Sequence, residues 1–415
     1  MRKKKKIRRQ SLFFYRLAQV ASWFVAVFVF RRKVLRNEIR GKKGPFVVIA
    51  NHEAQYDFVN LIGATAVPMT FVISESFYNT LPVKGVMDRI GVIPKQQFHT
   101  GIRDIRRMKA TVEAGRILVI YPAGLMSEDG LSTPIPAATY AFLKWLGVDV
   151  YVARSEGTYF AMPKWSKGTR RGRTFLDIYK LFSAEDLAEL DEETVRERTY
   201  EALFFDAYRE QERRLVKYRD GNNVEGLENV LYKCPHCGAE FSMVAENTDT
   251  LRCTACGFAE RCDAYGFLHK ISRGGKEIRY VSDWSRRIYG DLRQRLERGE
   301  EGTLSSGTAI HLINKSKYKF CEEGRGTLTL SADGFRLCGT LRGEEIDLAI
   351  PTTHFASLPF SPGKYLELQY GKEIYRCVLD DGRLAMKFVH LVKLYYEKNQ
   401  QLCPKEAPVK EEAAI

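Results

Sequence analysis

A histidine and an aspartate five positions apart, His52 and Asp57, stand just beyond the apolar run Phe46–Ala50. An uninterrupted apolar run of this length reads as a strand buried on both faces. Asp57 falls where a helix should begin. A strand-to-helix turn of this length can fold the carboxylate back onto the imidazole. Asp57 would then accept from one ring nitrogen and fix the tautomer, leaving the other nitrogen as a base. This is the logic of a hydrolytic triad without its serine, sufficient where the nucleophile is the substrate's own hydroxyl. The competing reading is a helix-capping Asp beside a satisfied surface His.

The second set is Cys234-Pro235-His236-Cys237 and Cys253-Thr254-Ala255-Cys256, with fifteen residues between the inner cysteines. Each Cys-x-x-Cys makes a tight knuckle, and two knuckles complete a closed four-thiolate Zn2+ site of the structural kind. Gly238 and Gly257 follow the two pairs and let the backbone turn under the sulfurs. Such a metal holds together a module too small for its own core. The alternative is two redox pairs, but no thioredoxin-like strand pattern precedes them. His236 is an alternate ligand or an ordinary surface His, and Cys262 reads as a spare thiol. The chain has nine cysteines, and the five outside the two pairs show no framework spacing, which suits a reducing compartment.

The elements that must position these residues alternate along the first half of the chain. Apolar runs recur at Thr70–Ile73, Ile90–Ile93, Ile117–Tyr121 and Val148–Ala153. Helix-like stretches lie between them at Phe58–Ala66, Gly101–Ala114 and Pro136–Leu146. This predicts an α/β domain with a largely parallel sheet over 44–225. Asp191–Arg214 reads as one long charged helix. The ribbon occupies 228–268. Residues 277–300 look helical. From 308 the texture becomes short alternating strands, with hairpin-type Asp-Gly steps at Asp333-Gly334 and Asp381-Gly382. Leu384–Lys398 reads as an amphipathic helix. Antiparallel strands closed by a C-terminal helix resemble a pleckstrin-homology-like barrel, here over 277–403, and residues 404–415 form a polar tail.

The formal charge is +14, and fifteen of the 65 Lys and Arg lie in residues 1–43 against one acid, Glu38. The remainder is balanced, with 50 basic and 50 acidic residues. A nucleic-acid-binding domain spreads its basic residues over a folded face, so that class is not expected. The basic head Arg2–Arg9 followed by apolar Ser11–Phe30 instead fits an anionic bilayer surface. The uncharged stretch Leu17–Phe30 is shorter than a spanning helix of about 20 residues, and both flanks are basic. The expectation is a peripheral or monotopic helix on the cytoplasmic face. The alternatives are a spanning helix that snorkels Arg16 and a signal peptide, although no small-residue cleavage site follows the run.

Asn51-His52, four intervening residues and Asp57 after an apolar strand resemble the first signature of the glycerolipid acyltransferase family, of the lysophosphatidate (1-acylglycerol-3-phosphate) acyltransferase type. Gly91-Val92-Ile93-Pro94-Lys95 is similar to its second signature. Tyr121-Pro122-Ala123-Gly124-Leu125-Met126-Ser127 is similar to its third, and Val148–Ala153 to its fourth. The resemblance covers roughly residues 10–180 and implies a glycerol-phosphate acyltransferase-like α/β fold. It implies acyl-CoA or acyl carrier protein as donor, a lysophospholipid acceptor, His52 as base and Asp57 as its orienting partner.

The departures from the family are specific. Ala123 stands where the family has Glu, Leu125-Met126 where Thr-Arg is usual, and Gln97 where an Arg is common. The lost residues are those credited with gripping the acceptor's phosphate through charge-assisted contacts. Lys95, Arg89 and Arg154 are the candidate replacements, each equally readable as an ordinary flanking charge. Gly124 and Ser127 complete the candidate substrate residues, with backbone amides near a helix start. The expected activity is acyl transfer in phospholipid biosynthesis. The other reading is a catalytically weak, membrane-bound adaptor that recruits partners through the ribbon and β-module.

Overall fold

The five side chains of Phe46–Ala50 are all buried, and this strand sits in the middle of a seven-stranded sheet. The computed structural model describes residues 10–97, 101–219, 222–273, 277–352 and 357–400. The basic head Arg2–Arg9 and the tail from Pro404 lie outside the described residues.

The strands of this first sheet are β1 (Lys33–Asn37), β2 (Phe46–Ala50), β3 (Met69–Ser74), β4 (Ile93–Lys95), β5 (Ile117–Ile120), β6 (Val150–Glu156) and β7 (Phe175–Phe182). Their order is β1-β7-β6-β2-β5-β3-β4. Every pairing is parallel except β6 with β7. The helices of this part are α1 (Leu12–Phe24), α2 (Asp57–Ile62), α3 (Glu75–Thr80), α4 (Lys84–Ile90), α5 (Ile102–Glu113), α6 (Ala138–Leu146), α7 (Thr158–Ala161), α8 (Ala184–Glu189), α9 (Glu192–Leu203) and α10 (Ala207–Arg214). Two apolar layers enclose the sheet. One holds Val48, Leu61, Phe71 and Val119, the other Val47, Ile49, Leu143 and Val152. Alternate side chains of β2 thus enter opposite layers, as a doubly covered strand requires.

Helix α1 continues through a π-helical turn, Val25–Val29. Tyr15, Gln19, Ser22 and Ala26 are buried against the domain. Gln19 Nε2 donates to the Thr65 carbonyl at 2.7 Å. Phe13, Leu17, Val20, Phe24 and Phe28 are exposed. The apolar segment is therefore docked along one face and bare along the other. Beyond it, residues 33–37, read from sequence as part of the membrane-associating stretch, form a strand parallel to β7.

The ribbon strands are β8 (Met243–Glu246), β9 (Thr250–Cys253), β10 (Ala259–Cys262) and β11 (Leu268–Lys270), in one antiparallel sheet. After α11 (Val281–Glu297) come β12 (Leu304–Asn314), β13 (Lys319–Leu330), β14 (Gly334–Leu341), β15 (Glu344–Pro351), β16 (Phe360–Ser361), β17 (Tyr365–Tyr370) and β18 (Glu373–Leu379). Their order is β15-β14-β13-β12-β18-β17-β16, and α12 (Leu384–Gln400) follows. The largest apolar cluster runs from Tyr159, Phe160 and Tyr208 of the α/β part, through Leu251 and Phe258 of the ribbon, to Trp284 of α11 and Phe388 of α12. Ribbon, helices and β-module therefore share one core with the back of the α/β part.

Four local expectations change. Ile90 ends α4 instead of starting a strand, because Gly91 takes φ 84° and caps the helix. The charged helix over 191–214 is two helices: Phe204 leaves helical backbone and Asp206 caps α10, accepting from the Tyr208 and Arg209 amides. The helix expected over 58–66 ends at Ile62. Asp381-Gly382 starts α12 instead of a hairpin, with Asp381 Oδ1 accepting from the Arg383 amide at 3.1 Å.

Candidate active site and metal centre

β2 and β5 run side by side with Ile49 opposite Ile120. Both chains therefore leave the sheet at the same height, the edge where open α/β sheets collect ligand-binding residues. The turn after β2 is held by Asn51, whose Nδ2 donates to the Ser155 carbonyl and whose Oδ1 accepts the Ser155 amide, both at 2.8 Å. His52 follows. Its Nδ1 lies 2.9 Å from Asp57 Oδ2, and the same oxygen accepts the Ala54 amide at 3.0 Å. The His52 side chain is 20% exposed and that of Asp57 1%. The carboxylate is sealed and held twice, while the ring reaches the surface. With Nδ1 donating to Asp57, Nε2 carries the free lone pair.

The ring of Tyr121, just past β5, lies 4.6 Å from the His52 ring. A groove opens beside His52, walled by Pro122, Ala123, Ile135, Tyr200, Leu203 and Phe204. Its far wall comes from the end of α9, so apolar surface faces the imidazole. None of Tyr121, Tyr200 and Phe204 is expected from sequence as a site residue, and Tyr121 reads there only as the end of an apolar run and the start of the third segment. The strand pairing, which alone brings Tyr121 beside His52, is not a local signal.

Glu53, adjacent to His52, is fully buried. It accepts from Thr158 Oγ1 at 2.9 Å and from the Tyr159 amide at 3.0 Å. Burial, then the neighbouring Glu210 and Asp57 carboxylates, push its carboxyl well above the usual range.

The other candidate residues are dispersed. Lys95 Nζ donates to the Gln96 carbonyl at 3.2 Å, and burial depresses its basicity. Arg89 donates to the Gly85 carbonyl at 3.0 Å and lies over the Phe14 ring, on the side of α4 that meets α1. Arg154 is ion-paired with Glu210 of α10 and lies 4.0 Å from Glu156. Its charge is matched within the fold. Gly124 donates its amide to Tyr121 and accepts from Gln97 Nε2 at 2.6 Å. Gln97 thus ties the stretch after β4 to the turn after β5. Ser127 is fully buried; its amide donates to the His52 carbonyl at 3.2 Å and its Oγ accepts the Gly130 amide at 2.9 Å.

In the ribbon, the sulfurs of Cys234, Cys237, Cys253 and Cys256 all lie within 4.8 Å of one another. The Gly238 and Gly257 amides fold back to the Cys234 and Cys253 carbonyls at 3.1 and 3.0 Å. Both glycines have positive φ, 78° and 75°. Four thiols at this separation fit a single metal ion. His236 stacks on Phe258 outside this cluster, and Cys262 is buried in the core.

No curated protein matches the chain. Among solved structures it is similar to the 1-acyl-sn-glycerophosphate (LPA) acyltransferase PlsC from Thermotoga maritima, with 20% identity and a TM-score of 0.38 over 46% of this chain and 75% of that one. The family model of the acyltransferases matches residues 11–163, a span that runs from α1 past the His52 turn to the end of α7. Residues 11–163 of this chain belong to the acyltransferase family.

Proposed function

We propose that the chain transfers a fatty acyl group from acyl-CoA or acyl carrier protein to the hydroxyl of a lysophosphatidate-like glycerophospholipid, in phospholipid biosynthesis. The observation that carries this is the sealed Asp57 carboxylate holding Nδ1 of a surface-reaching His52. His52 Nε2 takes the proton of the acceptor hydroxyl as its oxygen attacks the thioester carbonyl. The C–O bond forms, the C–S bond breaks, and the thiol leaves with the proton. The reacting alcohol and acyl chain lie in the apolar groove beside Tyr200 and Phe204.

The substrate arrives from a bilayer. In support, one face of α1 is docked and the other exposes Phe13, Leu17, Phe24 and Phe28. Leu12–Val29 has a mean hydropathy of 1.7 over 18 residues. A helix docked along its length lies in the plane of the cytoplasmic leaflet, with the anionic lipid surface as its partner.

The metal is zinc, in a structural role. Tetrahedral Zn–S bonds of about 2.3 Å separate sulfurs by about 3.8 Å, against 3.7 Å for Cys234–Cys256 and 3.8 Å for Cys237–Cys253. The C-terminal module is pleckstrin-homology-like, on the strength of its seven-stranded order and following helix.

A second reading, a membrane-bound adaptor of weak activity, is favoured by one observation. Arg154, one of the cations expected to replace the missing phosphate grip, is paired with Glu210. Acyl transfer by membranes carrying the wild-type chain or His52→Ala decides between them. Loss of activity in the variant supports the enzyme, and equal activity eliminates it.

A further inference from the structure

The turn after β5 lies between two unlike neighbours. Its front, Pro122 and Ala123, walls the groove, and its Ser127 amide is bonded to the His52 carbonyl. Its back, Glu128 and Asp129, is buried against the C-terminal helices. Lys393 of α12 donates to Glu128 Oε1 at 2.6 Å, across 265 residues of sequence. Ser285 of α11 donates to Asp129 Oδ2 at 2.6 Å. Ser127 Oγ closes the turn onto Gly130.

The charges around this pair come from every packed element. Lys164 follows α7 and lies 3.7 Å from the centre of the Phe360 ring. His390 and Glu397 lie on α12 with Lys393, and Asp129 adjoins Glu128. Burial opposes ionisation of Glu128, but the Lys393 and Lys164 ammonium groups outweigh it and hold the carboxyl at about 2. Glu128 is buried and Lys393 largely so, and removing the ammonium would leave the buried carboxylate without its counter-charge, so the pair holds a fixed geometry.

We propose that Lys393 is a positioning residue of the active site: through Glu128, and with Ser285 acting through Asp129, the C-terminal helices hold the 122–130 turn against His52. The third segment lacks the family's Glu and Arg, and this chain steadies it from behind with an ion pair from α12. The kinetic part of the proposal rests on the acyl-transfer reading; the structural part does not.

The test uses the full chain with Lys393→Met, Lys393→Arg and Ser285→Ala, in amide hydrogen exchange and in acyl transfer. Lys393→Met is expected to speed exchange at 124–131 at least tenfold while amides of β2 and β5 hold. Turnover should fall at least tenfold, with the acceptor KM changed less than threefold. Lys393→Arg should keep both within threefold of wild type, and Ser285→Ala should give a smaller effect in the same direction. The proposal fails if exchange at 124–131 is unchanged in Lys393→Met and Ser285→Ala. It fails equally if the acceleration is shared by β2 and β5, which marks general unfolding. A wild-type chain without acyl transfer would sink the proposed function, while the exchange comparison would still decide the coupling.

Discussion

Asn51 closes a two-bond ring with the backbone of Ser155, giving and taking one hydrogen bond at 2.8 Å each. The residue before His52 is thereby pinned to β6. Asn51→Ala leaves a buried N–H and a buried C=O unpaired, at a cost of roughly 2–4 kcal/mol. Thermal melting should show a clear drop. Activity measured well below the melting temperature should fall further than the folded fraction does, since the His52 turn loses its anchor. Equal losses of fold and activity would contradict this.

Asp57→Asn keeps the shape of the buried side chain but no longer selects the Nδ1–H tautomer. Turnover is expected to fall about 10³-fold or more, as for an Asp-to-Asn change in a triad. The acceptor KM should move less than about threefold. Steady-state kinetics on vesicles read both, and a rise in KM alone would show that Asp57 serves binding.

Leu17 and Phe24 lie on the bare face of α1, opposite the docked Tyr15 and Ser22. Leu17→Glu with Phe24→Glu removes burial of about 1.5–3 kcal/mol per side chain in a bilayer and adds charges that anionic lipid repels. Co-sedimentation with anionic vesicles should weaken at least tenfold, with the melting temperature unmoved. Undiminished binding would relocate the membrane contact elsewhere.

Metal analysis of the purified chain is expected to find one zinc. Chelation, or Cys234→Ser, should lower the melting temperature by roughly 10 °C or more, because the ribbon shares its core with both neighbours. A chain indifferent to chelators would remove the zinc assignment.

Glu260 of β10 is fully buried, with Oε1 accepting the Ile278 amide at 3.4 Å. Burial, partly offset by that amide, raises its carboxyl from 4.5 to about 7. Between those values the folded chain keeps a proton that the unfolded chain has released. Stability therefore falls as pH rises through this window. Glu260→Gln should melt like wild type near pH 4.5 and above it by pH 8, by on the order of 2 kcal/mol. A pH-independent difference would refute the linkage.

What the sequence disclosed follows from how local each signal is. The five-residue offset of His52 and Asp57 is a property of one turn, and so is the geometry of each Cys-x-x-Cys knuckle. Both are legible without the rest of the chain. Gly91 shows how one residue shifts a boundary, since its left-handed backbone ends α4 and delays the strand to Ile93. Arg154 illustrates the opposite limit. In sequence it reads as a candidate phosphate cation or an ordinary flanking charge, and its partner Glu210 lies 56 residues away. The break at Phe204 and the cap at Asp206 turn that carboxylate inward. The ion pair of Glu128 with Lys393 has no local signature, since each residue alone looks like a solvated charge.

A ribosome makes this protein in the reverse of the order its architecture demands. The docked helix and the sheet are translated before α12, which carries the lysine proposed to brace the turn behind His52. A nascent chain can therefore reach the bilayer before its reaction centre is set. If the brace acts as proposed, translation products ending ahead of Lys393 would turn over at least tenfold more slowly than chains that carry α12.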